Sequence, residues 1–154
     1  MFVVYDQDGK ITSSIAGPGL EYGIEVLDAQ GKSWLFLAGV TSLDPVVNYV
    51  DVAAAAARTN RYVPKDAIAD VVKANRPIAL VASKSEIVAD GIDAATISGI
   101  PAGAAVTIVC NGLELASAVI DDGNIELTAI SAGVYHVLVS RPTFNPASIE
   151  VMAS

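Results

Sequence analysis

One cysteine and one histidine set the first limits on this chain of 154 residues. Cys110 alone closes no intrachain disulfide and supports no multi-cysteine metal site. In the apolar run Ala104 to Cys110 it reads as a small core hydrophobe. His136 has no second histidine with which to share a zinc ion, and no His-Glu-x-x-His spacing occurs. A Gly-x-Ser-x-Gly elbow is missing too. Triads assemble in space, so a hydrolase built on His136 and an aspartate remains one reading. The mid-strand position of His136 favours a surface or edge role instead.

Basic residues are also scarce. Nine Lys and Arg stand against seventeen Asp and Glu, for a formal net charge of −8. The nearest approach to a basic cluster is Arg58, Arg61 and Lys65. Nucleic-acid binding draws on clustered cations that release counterions. Neither nucleic acid nor an anionic membrane surface is therefore expected as a partner. No apolar run nears the roughly 18 to 20 residues of a membrane span, since Ala53 to Ala57 stops at Arg58. Met1 to Asp8 has no basic stretch leading into an apolar core, so no secretory signal is expected. Gly17-Pro18-Gly19 is followed by no Lys-Ser or Lys-Thr and is no phosphate loop. No cofactor is expected.

Carboxylates occur in small groups: Asp6 with Asp8, Glu21 with Glu25, Asp121 with Asp122. Paired carboxylates serve glycoside hydrolysis, and several oxygens on one loop hold calcium. Asp6-Gln7-Asp8-Gly9-Lys10 begins like a calcium loop but lacks the downstream Glu. Each group sits beside a glycine at an expected turn, where local hydrogen bonding favours aspartate.

What is abundant is β pattern. The most regular stretch is Asn124 to Val139, which reads as strand, tight turn over Ser131-Ala132-Gly133, and strand. Tyr135, Val137 and Val139 share one face of the second strand, and Val134, His136 and Leu138 the other. From Ile78 onward every segment reads as β. Strands are expected at Ile78 to Ala82, Glu86 to Ala89, Ala95 to Ile100, Ala104 to Cys110, Leu113 to Ile120 and Ser148 to Met152. Asn111-Gly112 is the strongest hairpin signal. Turns every roughly 8 to 12 residues suggest a β-sandwich.

The first half reads as a small antiparallel β unit. Phe2 to Tyr5, Lys10 to Ile15 and Ser33 to Leu37 are strands, with Trp34 and Phe36 on one core-facing side. Gly23 to Gln30 is either a short strand or a poor helix. Val46 to Val52 and Arg61 to Lys65 look like hairpin arms around Ala53 to Asn60, an enlarged connection with room for a helical turn. Asp66 to Asn75 has helical spacing, an N-capping Asp66 and an end at Arg76-Pro77. The expected fold is mainly β, in three parts: an N-terminal β unit over 1–65, a linker helix over 66–77 and a sandwich over 78–154.

Tyr5, Tyr22, Trp34, Tyr49 and Tyr62 all fall in the first half. As a surface, Tyr22, Trp34, Tyr49 and Tyr62 are the candidate contacts for a glycan or a protein partner; the competing reading is an ordinary core. The chain is 53% hydrophobic. That excess fits a well-filled core, and it equally fits burial against copies of the same chain or a partner.

Two sets of residues resemble known proteins. Phe2-Val3-Val4-Tyr5-Asp6 through Asp8-Gly9-Lys10-Ile11, then Trp34-Leu35-Phe36, Asp44-Pro45, Asn48-Tyr49-Val50-Asp51 and Tyr62-Val63-Pro64-Lys65 resemble small virion proteins of tailed bacteriophages, of the tail or tail-fibre accessory type. Ile97-Ser98-Gly99-Ile100-Pro101-Ala102-Gly103 and Ala132-Gly133-Val134-Tyr135-His136-Val137 resemble the immunoglobulin-like modules such proteins carry. Tyr135 then falls where a tyrosine corner often sits. The resemblance implies a structural virion component, not an enzyme, made in the bacterial cytoplasm and assembled into the particle. It further implies an attachment unit, a displayed immunoglobulin-like sandwich, and homo-oligomeric contacts with itself and other virion proteins, with host-surface glycan as a further partner. Two rival readings are a carbohydrate-binding adhesin module and a fibre-assembly chaperone outside the particle. Ala53 to Asn60 departs from the short polar hairpins of such proteins.

Overall fold

The computed structural model describes residues 1–17 and 21–154, and for residues 21–23 the backbone alone. The chain forms two compact units, Met1–Asn75 and Arg76–Ser154.

In the first unit, β1 (Phe2–Tyr5) and β2 (Ile11–Ile15) form the expected hairpin. Asp6 shapes its turn, with one carboxylate oxygen accepting from the backbone N–H of Asp8 at 3.0 Å and of Lys10 at 2.9 Å. The segment Gly23 to Gln30 falls in a helix, α1 (Glu21–Ala29). β3 (Ser33–Leu37) pairs antiparallel with β1, setting Val3 opposite Leu35 and Val4 opposite Trp34. Alternation then sorts the side chains onto two faces. Val3, Leu35 and Leu37 enter the larger core, with Ile11, Val50, Val63 and Val71. Phe2, Val4 and Trp34 form a smaller cluster on the other side, against Ile24, Leu27 and Phe36. The face carrying Trp34 and Phe36 is thus the lesser core of this unit, not its centre.

The segment around the alanines differs from expectation. β4 is only Asn48–Val50, and β5 is Tyr62–Val63. They are not arms of one hairpin: β5 runs parallel to β3, and β4 pairs with β6 (Val72–Ala74). Between them lies α2 (Val52–Ala56), whose first turn is capped by Asp51 through the N–H of Ala54 at 3.0 Å. Ala55 is buried, so a small residue lets the helix sit close to the core. The linker helix over 66–77 is replaced by three short pieces: a 3₁₀ turn (Lys65–Ala67), α3 (Ile68–Val71) and β6. Asp66 caps nothing, since neither helical piece has a side-chain cap. Val71 is fully buried and β6 joins β4, so tertiary pairing takes residues 72–74 out of the helix that their spacing favoured.

The second unit is a two-sheet β-sandwich. Its strands are β7 (Val81–Ala82), β8 (Glu86–Ile87), β9 (Ala94–Ser98), β10 (Ala104–Cys110), β11 (Leu113–Ile120), β12 (Asn124–Thr128), β13 (Gly133–Ser140) and β14 (Ala147–Ala153). One sheet has the order β11-β10-β13-β14-β8, the other β12-β9-β7. Their inner faces meet through Ala95, Ile97 and Leu127 on one side and Val106, Tyr135, Val137, Val139 and Val151 on the other. Asn111-Gly112 turns β10 into β11 with both residues at positive φ, 54° and 76°, as a two-residue hairpin requires.

The stretch Asn124 to Val139 is not a hairpin. β12 pairs with β9 and β13 pairs with β10, so residues 129–132 carry the chain from one sheet to the other. The segment from Ile97 to Ala104 makes the equivalent crossing from β9 to β10. Two similar sequences thus serve two sheet-to-sheet crossings. Tyr135 anchors the second one: its ring is buried, and its hydroxyl donates to the Ser131 carbonyl at 3.0 Å. This is the tyrosine-corner arrangement, a side chain tied to backbone a few residues upstream. Tyr135→Phe keeps the packing and loses this bond. Since Ser131 is exposed and its carbonyl regains water, the expected loss is about 1 kcal/mol in urea denaturation.

Candidate functional site

Among the described residues, the first-half aromatics named as contacts do not form a common surface. Trp34 and Tyr49 are buried, at 8% and 7% exposure. The Tyr22 side chain lies outside the described residues. Tyr62 alone of the four is seen open to solvent, at 52%. A glycan platform on Trp34 is therefore closed by packing. Phe2 lies against Trp34 and Phe36, with ring centroids 5.3 and 5.0 Å apart, and Phe36 stacks on Tyr62 at 5.7 Å. Arg61 covers the indole at 4.5 Å and also pairs with Asp28. Asp28 in turn accepts from the indole N–H at 3.0 Å. The hydrogen bonds from Trp34 and then Arg61 hold the Asp28 carboxyl below its ordinary range. Desolvation pushes the Tyr5 hydroxyl up, and Arg61 partly opposes that. Arg61 and Asp28 have no motif that marks them in the sequence; β5 beside β3 brings Arg61 to Trp34, and α1 brings Asp28.

The carboxylates are mostly turn formers. Asp6 holds its hairpin, and the Asp122 carboxylate accepts from the Asn124 backbone N–H at 3.5 Å. The Glu21 side chain lies outside the described residues. Among the described residues, no three His, Cys, Asp or Glu side chains gather as metal ligands.

A tighter carboxylate pair, Asp90 and Asp93, organises the loop before β9. Asp90 accepts from the N–H groups of Ile92 and Asp93, both at 2.8 Å. Asp93 takes Lys84 on one oxygen and the Val88 N–H, at 3.0 Å, on the other. The Lys84 bond first, then the Val88 N–H, lower the Asp93 pKa; backbone bonds from Asp93 and Ile92 lower that of Asp90. A carboxylate whose pKa falls on folding contributes stability above its unfolded pKa, about 3.9 for aspartate. That contribution disappears as pH drops through the folded value. The sandwich is therefore expected to weaken below about pH 4. Asp93→Asn should lose part of that pH dependence, seen by comparing urea midpoints at neutral and acid pH.

The surface with most to offer a partner is the outer face of the five-stranded sheet. Alternation that buries Tyr135, Val137 and Val139 turns Val134, His136 and Leu138 outward. Register sets Leu138 opposite Thr107 and Ser148, and His136 opposite Val109 and Glu150. Val119 at 66%, Leu138 at 44% and Met152 at 49% exposure give the face apolar character. A shallow depression of about 460 Å³ opens between β10, β13 and β14, floored by Thr107 and Leu138 and rimmed by Pro146 and Ser148. The face also carries charge: His136 Nδ1 and Glu150 Oε1 lie 3.2 Å apart across β13 and β14, and register sets Glu114 beside Val109 and Glu86 beside Met152. The carboxylate beside His136 is thus a glutamate on an open sheet, not the aspartate of the hydrolase reading. Cys110 is buried against the sandwich core, as expected of a small hydrophobe. Such a face sets exposed apolar side chains and small hydroxyls among glutamates, the mixed character of a protein-contact surface.

Among the described residues no helix is long and apolar enough to cross a membrane. No family model, curated protein or solved structure matches this chain.

Proposed function

We propose that the protein is a structural component of a tailed-bacteriophage particle. In this reading the first unit attaches to the tail or the tip and fibre region. The immunoglobulin-like sandwich presents its five-stranded sheet to neighbouring virion proteins. The observation that carries the reading is that outer face, where Val119, Leu138 and Met152 are exposed and Leu138 lines a depression with Thr107 and Pro146. The phage resemblance of both halves and the tyrosine corner of Tyr135 support it. The adhesin reading loses its main platform, because Trp34 and Tyr49 are interior.

Mass spectrometry of purified particles tests the proposal. The protein is expected there in many copies. Its presence in infected cells and absence from particles would overturn the proposal in favour of an assembly chaperone. Leu138→Glu provides the matching variant. Leu138 is a little over half covered, so the variant should cost about 1 kcal/mol and stay folded, yet it should block incorporation.

A further inference from the structure

The edge strand β11 has a symmetry of its own. It is eight residues long, and Leu113 to Val119 are all exposed. It forms one edge of the larger sheet, paired with β10 on one side only among the described residues. The opposite edge of that sheet is β8, two residues long. Proteins usually blunt such an edge with lysine, proline or an inward charge. β11 contains no lysine and no proline, and its one charge is Glu114 near its start. A β-bulge at Leu115 bends that end and leaves Ala116 to Ile120 in regular register with β10.

Leu115-Ala116-Ser117-Ala118-Val119 reads nearly the same in both directions. A two-fold interface requires a patch that complements itself. An antiparallel strand pair with its axis at Ser117 supplies one. Ser117 then faces Ser117 of the second copy, Ala116 faces Ala118, and Leu115 faces Val119. Charge agrees with this register. The regular part of the strand, Ala116 to Ile120, is uncharged, and Glu114 lies beyond the bulge toward the end that meets Ile120, so no carboxylate of β11 meets another. Moving the axis to Ala118 would set Asp122 against Glu114, and a parallel pairing would stack Glu114 on itself.

We infer that β11 pairs antiparallel with β11 of a second copy, about a two-fold axis at Ser117, joining two five-stranded sheets into one. The chain carries a net charge of −8, so two copies repel at a distance, and the uncharged centre of β11 is where they can meet. Salt screens the repulsion and should strengthen the pair, whereas binding of a basic partner would weaken with salt. The inference rests on the strand itself and not on the phage reading. A monomeric protein would overturn the first and leave the second to particle composition.

Sedimentation of the full chain over a concentration series, at low and high salt, provides the test. A monomer–dimer equilibrium that shifts toward dimer with salt is expected. Ser117→Lys puts two cations face to face on the axis and should leave a folded monomer, with circular dichroism unchanged. Ser117→Cys, oxidised with copper phenanthroline, should give a covalent dimer. Glu86→Cys on β8, at the opposite edge of the same sheet, should not. A monomer at every concentration, a dimer that survives Ser117→Lys, or equal cross-linking at both cysteine positions would overturn the proposal. Should Ser117→Lys fail to fold, the cysteine pair decides it alone.

Discussion

Trp34→Ala is expected to cost the first unit about 3–5 kcal/mol, the range for removing a buried tryptophan from a core. Three interactions go with the ring. Phe2 loses its neighbour at 5.3 Å, Arg61 loses the surface it covers, and Asp28 loses the indole donor at 3.0 Å. The smaller cluster of Phe2, Val4 and Trp34 has few other members to refill the space. A unit of 75 residues has total stability toward the low end of about 5–15 kcal/mol, so this loss leaves it partly unfolded at growth temperature. Thermal unfolding followed by circular dichroism should show a drop of more than about 12 °C. Trp34→Phe keeps most of the packing and removes the N–H donor, so it should fall between. A shift of only a few degrees for Trp34→Ala would mean that the ring is a surface feature after all, and the glycan reading would return.

The second large effect is expected at Gly99, just after β9. Its φ is +82°, and a Cβ there would lie 2.1 Å from the Ala79 carbonyl oxygen. Gly99→Ala therefore meets two obstacles. A left-handed backbone costs a non-glycine residue ~1–2 kcal/mol. The contact is with backbone, which cannot swing aside as a flexible side chain can, so residues 79–80 must move away from the sandwich. The combined loss is about 3 kcal/mol or more, which places it among the larger single-residue effects. Gly112→Ala is the control that separates the two terms. Gly112 has φ +76° and nothing within 4 Å of the added carbon. It should show the conformational cost alone, at ~1–2 kcal/mol. Equal destabilisation of the two variants would show that the approach to Ala79 is unimportant.

Much of the β architecture was legible in local pattern. Alternation in β10 and β13 identifies the buried residues, because a strand's side-chain period is two whatever it pairs with; β3 is covered on both faces, so its apolar run does not say which face meets the larger core. Asn111-Gly112 announces its hairpin because few residues accept two successive positive φ values. The misreadings share one cause. Asn124 to Val139 shows which residues are buried but not which strand lies alongside, and a strand leaving one sheet for the other has the same alternation as one that turns back. Residues 72–74 have helical spacing, and β4 captures them as a strand. The alanines from 53 to 56 favour helix as their propensity demands, but only the core around Val50 and Val71 makes room for Ala55.

The candidate surface divides along the same line. That His136 and Leu138 face away from Tyr135 follows from parity alone. That His136 meets Glu150, and that Leu138 floors a depression with Thr107 and Pro146, depends on register between strands distant in sequence. The aromatic residues show the converse. Composition marks Trp34 and Tyr49 as available for contact, and packing withdraws them.

By itself, the sequence determined the two hairpin turns at Asp6 to Gly9 and Asn111-Gly112, the alternating faces of β10 and β13 and the poverty of basic clusters, since each depends on neighbouring residues or on counting. The tertiary structure alone decided which strands are neighbours, which face is covered and which edge is left open. Those are properties of pairing, and pairing energy comes from residues that meet only after the chain has folded.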